Sequence, residues 1–190
     1  MEHSKFILFG DDKEVLSSFK KALVANGHVF IGYSGDYHNI LRHIRSCCPE
    51  LVVIDASNRF SEITCILEVL DEELLAACIL VLKVRNDEVI NFLRNMRIIT
   101  YITKPVFDEA VLQIADLTLM NYERVLEYEQ KVRKLNDTLE SRKIVEKAKW
   151  ILVEKEGCTE LEAYEMIKKK SRNNRVPMKD IAEAIILARG

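Results

Sequence analysis

Proline and glycine are scarce in this chain, at three and six of 190 residues. Neither occurs between Phe107 and Gly157, so one very long helix has room to form there. No run of about 18 or more apolar residues exists, and no membrane span is expected. The start MEHSKFILFGDD lacks the apolar core length of a signal peptide. A cytoplasmic protein without a membrane partner is the expectation. The five cysteines (Cys47, Cys48, Cys65, Cys78, Cys158) show no CxxC or Cys/His metal spacing, and their odd number argues against a disulfide framework. Buried thiols in a reducing compartment are expected. The four histidines (His3, His28, His38, His43) are scattered. There is no Gly-rich phosphate loop, no Ser/His/Asp set and no zinc motif. An enzyme with a small-molecule substrate is therefore not expected.

What is present is a cored composition, 48% apolar and 31% charged, enough for one large domain or two small ones. The net charge of −2 hides an asymmetry. Residues 141–190 hold 12 Lys/Arg against 8 Asp/Glu, and the first 140 hold 16 against 22. An acidic regulatory half joined to a half that meets a polyanion would look like this. Ordinary surface variation is the plain alternative.

The first half alternates short apolar runs with helical periodicity. Lys5–Gly10, Val29–Tyr33, Leu51–Asp55, Ile79–Val84 and Ile98–Thr103 read as strands buried on both faces. Helical patterns fill Lys13–Asn26, Tyr37–Cys48, Ser61–Leu75 and Asp87–Asn95. Five such units predict an α/β fold, a doubly wound five-stranded parallel sheet, with ligands at the carboxyl ends of the strands. A long helix follows. One heptad frame places Thr118, Val125, Val132 and Leu139 at a, with Asn121, Tyr128 and Leu135 at d. That seam predicts a coiled-coil homodimer, with a buried Asn121 fixing its register. The alternative is a helix that packs back on its own domains.

After Gly157, Thr159 and Glu162 have capping-box spacing for a second helix. Asn173-Asn174 breaks it, and Pro177 suits the first turn of a third. Lys168, Lys169, Lys170, Arg172, Arg175 and Lys179 then cluster without an intervening acid. Such a cluster neutralises phosphates, although a charge run is more often a solvated face. Met166, Ile167, Ile181, Ile185 and Ile186 supply a small core. Tyr164 reads equally as a stacking platform or as core.

The order SRKIVEKAKW, EGCTELEAYEMIKKKSRNNRV, PMKDIAEAII resembles the ANTAR domain, a three-helix RNA-binding module of transcription antitermination, from Leu135 to about Ala188. Ser141-Arg142, Ala148-Lys149, Gly157, Ala163-Tyr164, Ser171 and Ile181-Ala182 carry the resemblance. It implies RNA contact at Arg142, Lys149, Lys169, Ser171, Arg172 and Arg175, and tandem hairpins of a nascent transcript as the partner. Trp150 departs from it, standing where glycine is usual. The indole either fills a hole in the bundle or alters the approach of RNA.

Asp11 and Asp12 follow the first strand, Asp55 ends the third, and Lys104-Pro105 follows the fifth. In a doubly wound sheet these ends converge. Three carboxylates and a lysine suit a hard divalent cation and a phosphoryl group, with an Asp as nucleophile. Taken singly, Asp11 and Asp12 read equally as helix caps. The joint spacing resembles the response-regulator receiver domain over residues 1–120. That resemblance implies Mg²⁺ held by Asp11, Asp12, Asp55 and the backbone carbonyl of Ser57, with Asp55 as phosphoacceptor for a sensor histidine kinase. It further implies Lys104 on the phosphoryl oxygens, a cis Lys104–Pro105 peptide and Tyr101 as the switch aromatic. Lys83 departs from the pattern, standing where Thr or Ser is usual. It is a candidate to pair with Asp55 instead. Arg59 stands where proline is common.

The expected organisation is thus a receiver-like domain (1–120), a long dimerising helix (107–140) and an ANTAR-like domain (135–190). The expected function is phosphorylation-controlled RNA binding and antitermination. A DNA-binding response regulator and a phosphorylation-independent scaffold are the alternatives.

Overall fold

The computed structural model describes residues 3–189. It divides into two compact units, Met1–Glu127 and Tyr128–Gly190.

Unit 1 is a five-stranded, wholly parallel sheet. Its strands are β1 (Lys5–Phe9), β2 (Val29–Ser34), β3 (Leu51–Asp55), β4 (Ala77–Leu82) and β5 (Ile99–Thr103), in spatial order β2-β1-β3-β4-β5. The period-two alternation of strand side chains makes two cores. Val52 and Ile54 of β3 face α2 (Ile40–Cys47), α3 (Phe60–Glu72) and α4 (Asp87–Leu93) through Ile44, Leu67 and Val89. Leu51 and Val53 face α1 (Lys13–Ala25) and the start of α5 (Asp108–Glu156) through Phe19, Val111 and Ala115. Every residue of β3 and β4 is buried, which is why those strands read as continuous apolar runs.

The structure corrects several boundaries. β4 begins two residues earlier than expected, because the small residues Ala77 and Cys78 pair with Leu51 and Val52 and are fully buried. Lys83 and Val84 lie beyond its end and are exposed. Tyr37–Asn39 forms a turn of 3-10 helix before α2. Cys47, Cys48 and Cys65 are exposed, and of the five thiols only Cys78 is buried.

The helix α5 runs unbroken for 49 residues. Its expected seam is shorter than the heptad frame suggested. Thr118 is fully buried, and its hydroxyl lies 2.6 Å from that of Thr100. Asn121 donates to the carbonyl of Arg97 at 2.6 Å. Val125 packs on the core of unit 1. These three positions therefore serve their own domain. Tyr128, Val132, Leu135 and Leu139 form the remainder of the frame, and each is more than half exposed.

Unit 2 packs the end of α5 against α6 (Glu160–Asn174) and α7 (Met178–Arg189). Its core is Ala148, Leu152, Ala163, Ile167, Ala182 and Ile185. The capping box at Thr159 and Glu162 is present in full. The helix α6 ends at Arg175, held in the left-handed region at φ 55°. A side chain there costs roughly 1 kcal/mol, which glycine avoids. Arg175→Gly is expected to raise the stability of unit 2 by about 0.5 kcal/mol, after glycine's larger unfolded-state entropy is discounted. Urea unfolding followed by the emission of Trp150 measures it, and a lowered midpoint would contradict it. Among the described residues no helix is long and apolar enough to cross a membrane.

Candidate functional site

The carboxyl ends of β1, β3 and β5 bring Asp11, Asp12, Asp55 and Lys104 together. Asp55 is 6% exposed and tightly oriented. Its Oδ1 accepts from the backbone N–H of Ser57 at 3.2 Å and from the Ser57 hydroxyl, and its Oδ2 accepts from the N–H of Asp12 at 3.3 Å. Gly10 makes this approach possible. A Cβ at Gly10 would lie 2.5 Å from the Asp55 Cβ, and its φ of 148° is one that side chains rarely adopt.

Lys104 reaches both neighbouring carboxylates, with its Nζ 2.7 Å from Asp12 Oδ2 and 3.4 Å from Asp55 Oδ1. The hydrogen bond from Lys104, then the backbone bond from Val15, lowers the Asp12 pKa. Burial pulls the Lys104 pKa down, but the Asp12 hydrogen bond and the charges of Asp55 and Asp12 outweigh it and leave it raised. Asp12 also caps α1, accepting from the N–H groups of Glu14 and Val15. The cap and the pocket readings of Asp12 are both realised in one side chain. The Lys104–Pro105 peptide is cis.

Lys83 is a correction. It is exposed, and among the described residues it makes no ion pair. Lys104 makes the pairing with Asp55 for which Lys83 was a candidate. Tyr101 sits half-buried in β5 against the core that α2, α3 and α4 cover.

Sequence reasoning noted Arg59 and missed its role. Its Nε lies 3.1 Å from Asp11 Oδ2, its Nη1 lies 3.3 Å from Glu62 Oε2, and its guanidinium sits 5.2 Å over the ring of Tyr37. Tyr37 is buried and donates its hydroxyl to the backbone carbonyl of Asp55 at 2.8 Å. Burial, then the charges of Asp11 and Asp55, push its pKa up to about 12. Nothing in the apolar pattern marked Tyr37 as a neighbour of Asp55.

The oxygens of Asp11, Asp12 and Asp55 fit a hard divalent cation in kind. In this arrangement Arg59 pairs with Asp11 and Lys104 with Asp12 and Asp55, and among the described residues no three His, Cys, Asp or Glu side chains stand as a metal-binding group.

The basic residues of unit 2 separate into distinct places. Arg142, Tyr164 and Lys179 line an open groove of about 540 Å³ over Val145, Pro177 and Met178. Lys169 and Arg172 line another face of α6, beside Glu162 and Glu165. Arg175 is exposed at the α6–α7 turn. Ser171 donates its hydroxyl to the carbonyl of Val176 at 2.6 Å and so holds that turn. Lys149 needs the strongest correction. Its side chain is 8% exposed, and its ammonium lies 2.8 Å from Glu146 and 2.6 Å from Glu160. The hydrogen bonds to Glu146 and Glu160 raise its pKa. A lysine already neutralised by two carboxylates ties α5 to the start of α6 and is not offered to a polyanion. Tyr164 is exposed, with the Lys168 ammonium 5.6 Å over its ring, while its neighbour Ala163 takes the core position. Trp150 is 68% exposed and fills no hole in the bundle.

Residues 133–186 match the model of the ANTAR domain. The chain is 24% identical over 182 residues to the transcriptional regulatory protein PdtaR of Mycobacterium tuberculosis, covering 95% of this chain and 88% of that one. A CheY-like receiver domain protein from Methanospirillum hungatei shares the fold at a TM-score of 0.54 and 20% identity, over 65% of this chain and 98% of its own. The receiver domain of the response regulator NarL from Mycobacterium tuberculosis does so at 0.53 and 15%, over 62% and 98%.

Proposed function

We propose that this response regulator, a receiver domain followed by an ANTAR domain, captures hairpin RNA in a nascent transcript and favours antitermination. Control would come from phosphorylation at Asp55 and from dimerisation. One observation carries the RNA reading. Within the ANTAR-matched segment an exposed tyrosine shares a groove with two cations, Arg142 and Lys179. Unpaired RNA bases are recognised by stacking on aromatic faces, with cations on the backbone.

The receiver pocket supports the control step. A sensor histidine kinase would donate the phosphoryl group. An Asp55 oxygen attacks phosphorus as the P–N bond to the kinase imidazole breaks, and the electron pair leaves with that imidazole. Lys104 would hold the phosphoryl oxygens. Asp11, Asp12, Asp55 and the Ser57 carbonyl would hold Mg²⁺, which neutralises the crowded oxygens when bound. Tyr101 would then report occupancy to the face of α4 and β5. Tyr128, Val132, Leu135 and Leu139, spaced by four, three and four, would pair two copies of α5 and present two RNA sites at once.

Fluorescence anisotropy of a labelled two-hairpin RNA, with and without a small phosphodonor and Mg²⁺, tests this. Binding is expected to tighten with the donor. Tyr164→Ala is expected to weaken it roughly tenfold, the scale of one lost base stack. Equal binding in both conditions would remove the phosphorylation step and favour a constitutive scaffold. Preference for duplex DNA over the hairpins would overturn the RNA reading.

A further inference from the structure

We infer that Arg59 is a built-in counter-cation of the acidic pocket, competing with the divalent metal for Asp11 and so setting the metal affinity of the receiver. The inference rests on reading that pocket as a divalent-cation site.

Arg59 does not meet Asp11 as a loose surface pair. Three contacts converge on its guanidinium: Asp11 at 3.1 Å, Glu62 at 3.3 Å and the face of Tyr37 at 5.2 Å. Tyr37 is itself buried and fixed by its hydrogen bond to the Asp55 backbone. The planar guanidinium is therefore held on an aromatic platform anchored to the phosphoacceptor strand, which lysine cannot reproduce as well. Lys104 meanwhile bridges Asp12 and Asp55. Two fixed cations thus face three carboxylates. A divalent ion entering this pocket meets one net negative charge rather than three, and it must displace Arg59 to gain Asp11.

The mobile end of this lock is the Arg59 side. Both partners keep an open side, at 44% exposure for Arg59 and 61% for Asp11, so water and an incoming ion can reach the pair although Tyr37 and Glu62 orient it. Lys104 is the more enclosed cation and lies where a phosphoryl group would need it. Arg59 is the one whose departure leaves the phosphate partner in place. The metal-free pocket is then self-neutralised, and metal binding carries a conformational step, the release of a guanidinium from Tyr37.

Calorimetric titration of Mg²⁺ into the full chain tests this, with Mn²⁺ titration followed by electron paramagnetic resonance as a second readout. Arg59→Ala is expected to bind roughly tenfold more tightly than the unaltered chain, from removing one charge beside a divalent ion. Arg59→Lys is expected to fall between them, since the charge stays and the stacking weakens. Asp11→Asn added to Arg59→Ala is expected to abolish the gain. Affinities of Arg59→Ala and the unaltered chain within twofold would overturn the competition while leaving the metal site intact. No binding to either would overturn the metal site and the competition together. Arg59 is exposed, and an unchanged thermal midpoint of its metal-free variants confirms that the fold is not what moved.

Discussion

Asp71→Ala is expected to destabilise unit 1 by about 3 kcal/mol, the scale of breaking a buried, hydrogen-bonded ion pair. Asp71 lies in the last turn of α3 and is buried. Its Oδ1 accepts from the backbone N–H of Arg97 at 2.6 Å and of Ile98 at 2.9 Å, and its Oδ2 lies 3.2 Å from Arg97 Nε. Alanine leaves two backbone donors without this acceptor at the buried entry to β5. The Arg97 side chain is over a third exposed, so water takes over part of its loss, and the estimate sits at the low end of the range. The effect reaches further, because the Arg97 carbonyl accepts from Asn121 and the Tyr122 hydroxyl donates to the Leu74 carbonyl. The root of α5 is thereby fastened to the α3–β4 and α4–β5 connections. Urea unfolding of the full chain by circular dichroism should show the loss. Trp150 is the chain's single tryptophan and belongs to unit 2, so its emission should keep its midpoint. Asp71→Asn keeps an acceptor oxygen and is expected to lose less. A change below about 0.5 kcal/mol in Asp71→Ala would show that the staple contributes nothing net.

Asp71 was invisible to sequence reasoning for a physical reason. An acid near the end of an amphipathic helix looks like a solvated residue, and its partners are more than twenty residues away. The same limit explains the other differences. Apolar periodicity made the strands and the long helix legible, because burial on both faces and a 3.6-residue stripe are local properties. It did not say which partner a stripe meets. Thr118, Asn121 and Val125 fit a heptad and yet serve the core and loops of unit 1. Charge type placed Asp11, Asp12, Asp55 and Lys104 at one edge, because strand ends converge by topology. It did not reveal that Arg59 would reach Asp11, or that Lys83 would pass the end of β4 into solvent. Lys149 sat in a motif and carried the right charge for RNA, but Glu146 one turn earlier and Glu160 at the start of α6 claim it. The groove of Arg142, Tyr164 and Lys179 joins three helices, so no single window of sequence contains it.

Val132→Glu with Leu139→Glu is expected to convert a dimer into a 22.0 kDa monomer and to lower affinity for a two-hairpin RNA by roughly 10²–10⁴. The argument begins with exposure. Four apolar side chains of α5 stand on one face at heptad spacing, and unit 2 covers none of them. In that frame the flanking e and g positions are Glu129, Lys131, Asn136 and Thr138, charged beside the first half of the seam and polar beside the second. A single chain offers one Arg142–Tyr164–Lys179 groove, so under the proposed function it would meet one hairpin at a time. Pairing would make the second hairpin an intramolecular event at roughly millimolar effective concentration, and the gain would disappear with the pairing. Two glutamates per chain bring four carboxylates into the seam and add repulsion to the lost burial. Neither residue lines the groove, though Leu139 stands one turn before Arg142, so affinity for a single hairpin should fall by only about twofold, the scale of an exposed carboxylate set beside one cation. Sedimentation equilibrium and anisotropy with one-hairpin and two-hairpin RNAs separate the outcomes. A double variant that remains dimeric places the interface elsewhere on the chain. A monomeric variant that keeps full two-hairpin affinity would show that pairing does not contribute to RNA capture. A parallel fall in one-hairpin affinity would show instead that the seam residues support the fold of unit 2.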